Sequence, residues 1–182
     1  MQHSTTAMPP DGDTSPARSS ERARDPGPDP GLDAGAKCGV VLIGHGKTAT
    51  ALLAAARDII PGEGLEDVLA IDAGLGQTDE LTARVCAAIE EVDEGHGVLI
   101  IADLMGSSPC MCGIRSGEGH GYAVVAGLNL ALLTKLALVD RRQSPRELAE
   151  ACGEAVHRSV FIKVNDALTP PGQPEVKGCP PS

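Results

Sequence analysis

The 182-residue chain carries a formal charge of −10, is 42% hydrophobic and has two aromatic residues, Tyr122 and Phe161. That length fits one domain whose core is built from Ala, Val, Leu and Ile, and the negative charge argues against a nucleic-acid or anionic-membrane partner. No apolar run approaches the ~20 residues of a membrane span, and the polar amino terminus shows no export signal, so the six cysteines are expected as thiols in a cytoplasmic protein.

Residues 1–36 are rich in Ser, Pro, Asp and Gly and read as a disordered leader. Residues 164–182 read as a disordered Pro- and Gly-rich tail, which leaves a domain over 37–163. Between Lys37 and Thr169 the only prolines are Pro61, Pro109 and Pro145. The domain opens with the apolar run Cys38 to Ile43, the mark of a buried strand. It stops at Gly44-His45-Gly46, and Leu52, Leu53, Ala56, Ile59 and Ile60 then recur at helical spacing until Pro61-Gly62.

A second strand is expected over Val68–Asp72. Thr78 is a candidate cap for the next helix, with Asp79 and Glu80 in the first turn and a stripe of Leu81, Val85, Ala88, Ile89 and Val92. Gly97–Ala102 is apolar on both faces and so reads as a central strand. A fourth strand is expected over Tyr122–Val125 and a helix from about Leu130. Ser144-Pro145-Arg146-Glu147 forms a capping box with proline at the first helical position, and Leu148, Ala151, Cys152, Ala155 and Val156 face inward. Val160-Phe161-Ile162 is a candidate antiparallel edge strand. The alternation predicts an α/β fold: a doubly wound, mainly parallel sheet of four strands with helices on both faces.

The chemistry is expected at the carboxyl ends of the strands. His45 sits on a strand-to-helix turn, and Asp103 ends the third strand. If those strands are neighbours, the carboxylate fixes the imidazole tautomer and leaves the other nitrogen as nucleophile. Ser107 and Ser108, with nearby amides, are candidates to hold a phosphoryl group. Cys110 and Cys112 form a lone Cys-x-Cys without a second pair, so neither metal nor cofactor is expected. His96 and His120 read as solvated loop residues, and His157 as a contact with a helix carboxyl end.

Gly44-His45-Gly46, then Asp103-Leu104-Met105-Gly106-Ser107-Ser108-Pro109, then Ala126-Gly127-Leu128-Asn129-Leu130 resemble the mannose-family IIA component of the bacterial phosphoenolpyruvate:sugar phosphotransferase system (PTS). The resemblance spans roughly Cys38 to Ile162. It implies a dimeric phosphotransferase component with no cofactor, whose His45 takes a phosphoryl group on Nε2 from phospho-HPr. Asp103 would orient the ring and Ser108 would help bind phosphate. The acceptor would be a IIB component or a regulatory target, with at most peripheral membrane association through a IIC/IID permease.

The chain departs from the family pattern at Ser107, where glycine is usual, and at Met111, where asparagine is usual. Gly113 to Gly121 is glycine-rich where the family often has a helix. A homodimer is also expected because Tyr122 to Leu138 is almost wholly apolar, and a helix apolar on every side needs cover on every side. Two rival readings stand beside this one. A non-catalytic regulatory protein of the same fold would use the surface alone. Gly46-Lys47-Thr48 also imitates part of a P-loop of an NTPase or kinase, but Val41 stands where that motif needs its first glycine.

Overall fold

The structure is a computed structural model that describes residues 35–164 other than Glu63, Leu75 and Gln77. The leader and tail expected at 1–36 and 164–182 lie outside the described residues, apart from 35, 36 and 164. The elements are β1 (Gly39–His45), α1 (Thr48–Ile59), β2 (Leu69–Ala73), α2 (Asp79–Val92), β3 (Val98–Ala102), α3 (Ser108–Ser116), β4 (Tyr122–Ala126), α4 (Leu130–Leu138) and α5 (Pro145–Arg158).

The four strands form one parallel sheet in the order β2-β1-β3-β4. The chain leaves β1 for one edge and returns from β2 to the other side of β1. The switch point therefore lies between β1 and β3, where the loops after these strands diverge and leave a crevice. β1 and β3 are central and buried on both faces. Their side chains alternate between two cores, as the two-residue period of a strand requires. Val40, Leu42, Leu99 and Ile101 join Leu53 of α1, Leu132, Leu133 and Leu136 of α4, and Leu148 of α5. Val41, Ile43 and Ile100 join Leu81, Val85 and Ile89 of α2 and Cys112 of α3.

Two caps act as the sequence predicts. Thr78 accepts the Leu81 amide, and Ser144 and Glu147 close a reciprocal capping box. Three features differ from expectation. Helix α3, which the sequence reading did not place, ends inside the glycine-rich stretch that begins at Gly113. Its Gly113 is where the helix lies against the sheet: a Cβ there would come within 2.9 Å of both Ile43 Cδ1 and Ile100 Cγ2. The candidate edge strand Val160-Phe161-Ile162 pairs with no strand among the described residues, and its side chains are exposed. Finally, α4 finds cover within its own chain, between α1 and α5, so that only Leu138 of its large apolar residues is left mostly exposed. Among the described residues no helix is long and apolar enough to cross a membrane.

Candidate functional site: a histidine and carboxylate at the switch point

His45 is the last residue of β1, and Asp103 directly follows β3. The Asp103 amide donates to the Ile43 carbonyl at 3.2 Å, which continues the strand pairing by one residue and turns the carboxylate toward β1. Asp103 Oδ2 accepts the backbone N–H of His45 at 2.7 Å, and both carboxylate oxygens lie 3.1 Å from His45 Nδ1. Beside an ionised carboxylate, Nδ1 carries the ring proton and Nε2 keeps its lone pair. Nε2 has no hydrogen-bond partner among the described residues. The Asp103 side chain is 13% exposed and that of His45 40%, so the orienting group is shielded while the ring is reachable.

The flanking glycines make this approach possible. A Cβ at position 44 would sit 3.0 Å from the Ala49 amide nitrogen and 3.4 Å from Asp103 Oδ2. Gly46 adopts φ +59, a left-handed conformation that side chains other than glycine rarely tolerate. Its amide donates to the Ala73 carbonyl at 2.9 Å, and the Thr48 hydroxyl donates to the His45 carbonyl at 2.6 Å. The start of α1 is braced from β2: the Asp72 carboxylate accepts the Thr50 hydroxyl at 2.6 Å and the Thr50 amide at 3.1 Å. Neither Thr48 nor the Thr50–Asp72 brace was singled out from sequence. The signal available for Thr48 was a hydroxyl three residues after a turn histidine, a spacing that closes local hydrogen bonds.

The two candidate serines have different surroundings. Ser107 is the N-cap of α3: its hydroxyl donates to the Leu104 carbonyl at 2.7 Å and accepts the Cys110 amide at 3.4 Å. That hydroxyl holds the loop together. Ser108, the first residue of α3, is half-buried, and its hydroxyl has no hydrogen-bond partner among the described residues. Pro109 contributes no N–H, so the first turn of α3 offers anions little beyond the Ser108 amide and hydroxyl. Between the two serines and Asp103, Leu104 and Met105 are exposed.

Two other histidines are placed differently from expectation. His120 Nδ1 lies 2.6 Å from Asp93 Oδ2, and His96 Nε2 donates to the Arg142 carbonyl at 2.8 Å. They tie the loop between α2 and β3 to two neighbouring loops at the opposite end of the sheet. Burial pushes the Asp93 carboxyl up, but bonds from His120 and the Gly97 and Gly95 amides outweigh it and hold it below its ordinary value. The described cysteines are free thiols. Burial pushes Cys38 up to about 12 and Cys152 up to about 11, so neither is a ready nucleophile. The P-loop rival has no room: Val41 is buried within β1, and only Gly46 and Lys47 separate β1 from α1.

A four-stranded parallel sheet with helices on both faces, and a carboxylate-held histidine at its switch point, makes this an α/β protein with its candidate site at the carboxyl ends of the strands. The family model of the PTS system fructose IIA component, EIIA-man, matches residues 39–152, more than half of the chain, and the chain belongs to that family. Comparison with curated protein sequences gives no match. Among solved structures, the chain is similar to the mannose/sorbose specific IIA subunit of the phosphotransferase system from Enterococcus faecalis. They share 28% identity at a TM-score of 0.61 over 73% of this chain and 99% of that one. The fold is shared with a phosphotransferase component EIIA from Streptococcus agalactiae (21% identity, TM-score 0.58, 69% of this chain and 96% of that one). It is also shared with the PTS IIA protein associated with the fucose utilization operon of Streptococcus pneumoniae (22%, 0.58, 69% and 93%). The chain is thus a IIA component of the phosphotransferase system.

Proposed function

We propose that this IIA component is a cytoplasmic phosphoryl carrier, loaded on His45 Nε2 by phospho-HPr and unloaded by a IIB component or a regulatory target. The observation that carries the reading is the contact of both Asp103 oxygens with His45 Nδ1 at 3.1 Å, on a ring still 40% exposed. In the transfer, the Nε2 lone pair attacks phosphorus and forms a P–N bond. The donor's P–N bond breaks, and its electron pair returns to the donor's imidazole. The ring of His45 gains positive character, which Asp103 stabilises through the Nδ1 proton it already holds. Ser108 offers its amide and hydroxyl to the phosphoryl oxygens, and Ser107 shapes the loop that presents them.

The chemistry of the linkage tests the reading. Protein phosphorylated with phosphoenolpyruvate, enzyme I and HPr should carry an acid-labile, alkali-stable bond that resists hydroxylamine. Lability to alkali and hydroxylamine would instead place the phosphoryl group on a carboxylate such as Asp103.

We propose further that the carrier is a homodimer. Val160, Phe161, Ile162 and Val164 are 68–84% exposed, and β4 is an edge strand. A second copy that pairs with this segment would cover both. Phe161→Asp should turn a dimer into a monomer in sedimentation equilibrium. A wild-type chain that sediments as a monomer at micromolar concentration would refute the proposal.

A further inference from the structure

We infer that Lys47 is the counter-ion of the phosphoryl group on His45, an inference that rests on the carrier reading above. Lys47 is exposed and follows His45 by two residues, across the left-handed Gly46. Trans peptide geometry keeps the two Cα atoms within ~7 Å of each other, and the flexible four-carbon stem of lysine spans a further ~6 Å. The ammonium can therefore reach a group bonded to the imidazole.

Three features single this lysine out. First, it occupies the N-cap of α1 and makes no side-chain capping bond. That position favours Ser, Thr, Asp or Asn, and a cation there opposes the helix dipole. A local rule is broken beside a reactive side chain, the place where such breaks carry function. The capping work falls instead to Asp72, through Thr50.

Second, Lys47 has no ion-pair partner among the described residues, and the carboxylates bonded to the residues around it are otherwise engaged. Asp103 is engaged by His45, and Asp72 by the Thr50 amide and hydroxyl. Arg84, the other cation at this end of β2, donates to the Asp72 carbonyl at 3.3 Å.

Third, the charge balance of the site calls for a cation. A phosphoryl group brings about two negative charges at neutral pH into a crevice that already holds the Asp103 carboxylate. A cation two residues from His45 offsets that repulsion. A lysine point charge suits a phosphoryl group that is received from one protein and surrendered to another: it stabilises the group without a rigid bidentate grip.

The test compares wild type with Lys47→Gln and Lys47→Arg in two measurements. One is the equilibrium of phosphoryl exchange with phospho-HPr. The other is the affinity of the unphosphorylated protein for inorganic phosphate, read from the His45 ring resonances by NMR. Lys47→Gln should still be phosphorylated on His45, with the equilibrium moved about tenfold toward the donor, the scale of one charge-assisted contact at a partly exposed site. Lys47→Arg should stay close to wild type, and the difference should shrink as salt rises. A Lys47→Gln equilibrium equal to wild type would overturn the inference. A wild type that takes no phosphoryl group would refute the carrier reading instead. The phosphate titration would then decide for Lys47 alone: about tenfold weaker binding by Lys47→Gln supports it as an anion ligand, and equal affinities overturn it.

Discussion

Replacing Asp103 tests the geometry of the site most sharply, because one carboxylate does two things at once. It accepts the His45 backbone N–H at 2.7 Å and holds Nδ1 at 3.1 Å with both oxygens. A hydrogen bond to a charged group contributes about 1.5–3 kcal/mol, and each ~1.4 kcal/mol of barrier is a factor of ten in rate. Loss of the Nδ1 contact alone therefore slows transfer by about 10–150-fold. In Asp103→Ala the ring is also free to turn, and the total should reach about 10²–10⁴, the range of acid–base and orienting groups. Asp103→Asn separates the two roles. Its amide oxygen must satisfy the His45 backbone N–H, which turns the NH₂ group toward Nδ1. Nδ1 then becomes the acceptor, the ring proton moves to Nε2, and the nucleophile is lost although the fold is kept. Rapid-quench transfer from radiolabelled phospho-HPr gives the rate, and ¹H–¹⁵N NMR of the ring gives the tautomer. A variant with wild-type kinetics, or an Asn variant that retains the Nδ1–H tautomer, would refute the pairing.

Two further substitutions probe the frame around the dyad and the opposite end of the sheet. Gly44→Ala places a Cβ 3.0 Å from the Ala49 amide and 3.1 Å from Thr48 Cβ, so α1 must shift. It should cost about 1–3 kcal/mol in urea unfolding and slow transfer as well; wild-type stability and rate would show that the close approach is unimportant. Asp93, held below its ordinary carboxyl value by His120 and two glycine amides, is more acidic folded than unfolded. Its contribution to stability is therefore present above about pH 4 and lost as the pH falls through and below that value. Asp93→Asn should flatten this acid-side slope in unfolding measured from about pH 6 to pH 3, and a slope equal to wild type would contradict the assignment.

Much of the site was legible because it lies on backbone features that sequence encodes strongly. Central parallel strands are buried on both faces and read as unbroken apolar runs, as Cys38–Ile43 and Gly97–Ala102 do. Once β1 and β3 are neighbours, the strand-to-loop transitions at His45 and Asp103 fall side by side. The features that were missed depend on tertiary contacts. α3 has a glycine in its interior because Ile43 and Ile100 leave no space for a side chain, and that glycine reads as a breaker. Val160-Phe161-Ile162 has the β-branched and aromatic composition of a strand, but composition does not supply a pairing partner. His96 and His120 sit in glycine-rich turns that look solvated. Their partners, Arg142 and Asp93, are 46 and 27 residues away in sequence. The hydroxyl of Ser107, a candidate phosphate ligand by its neighbourhood, also closes the turn that starts α3.

The central claim is that His45 carries the phosphoryl group. Full-length protein should be incubated with phosphoenolpyruvate, enzyme I and HPr, kept alkaline, and examined by mass spectrometry with fragmentation that preserves phosphohistidine. The account predicts one phosphoryl group, localised to His45, and none on His45→Ala treated in the same way. Equal labelling of His45→Ala, or a wild-type protein that gains no phosphoryl mass from a competent phospho-HPr, would contradict it.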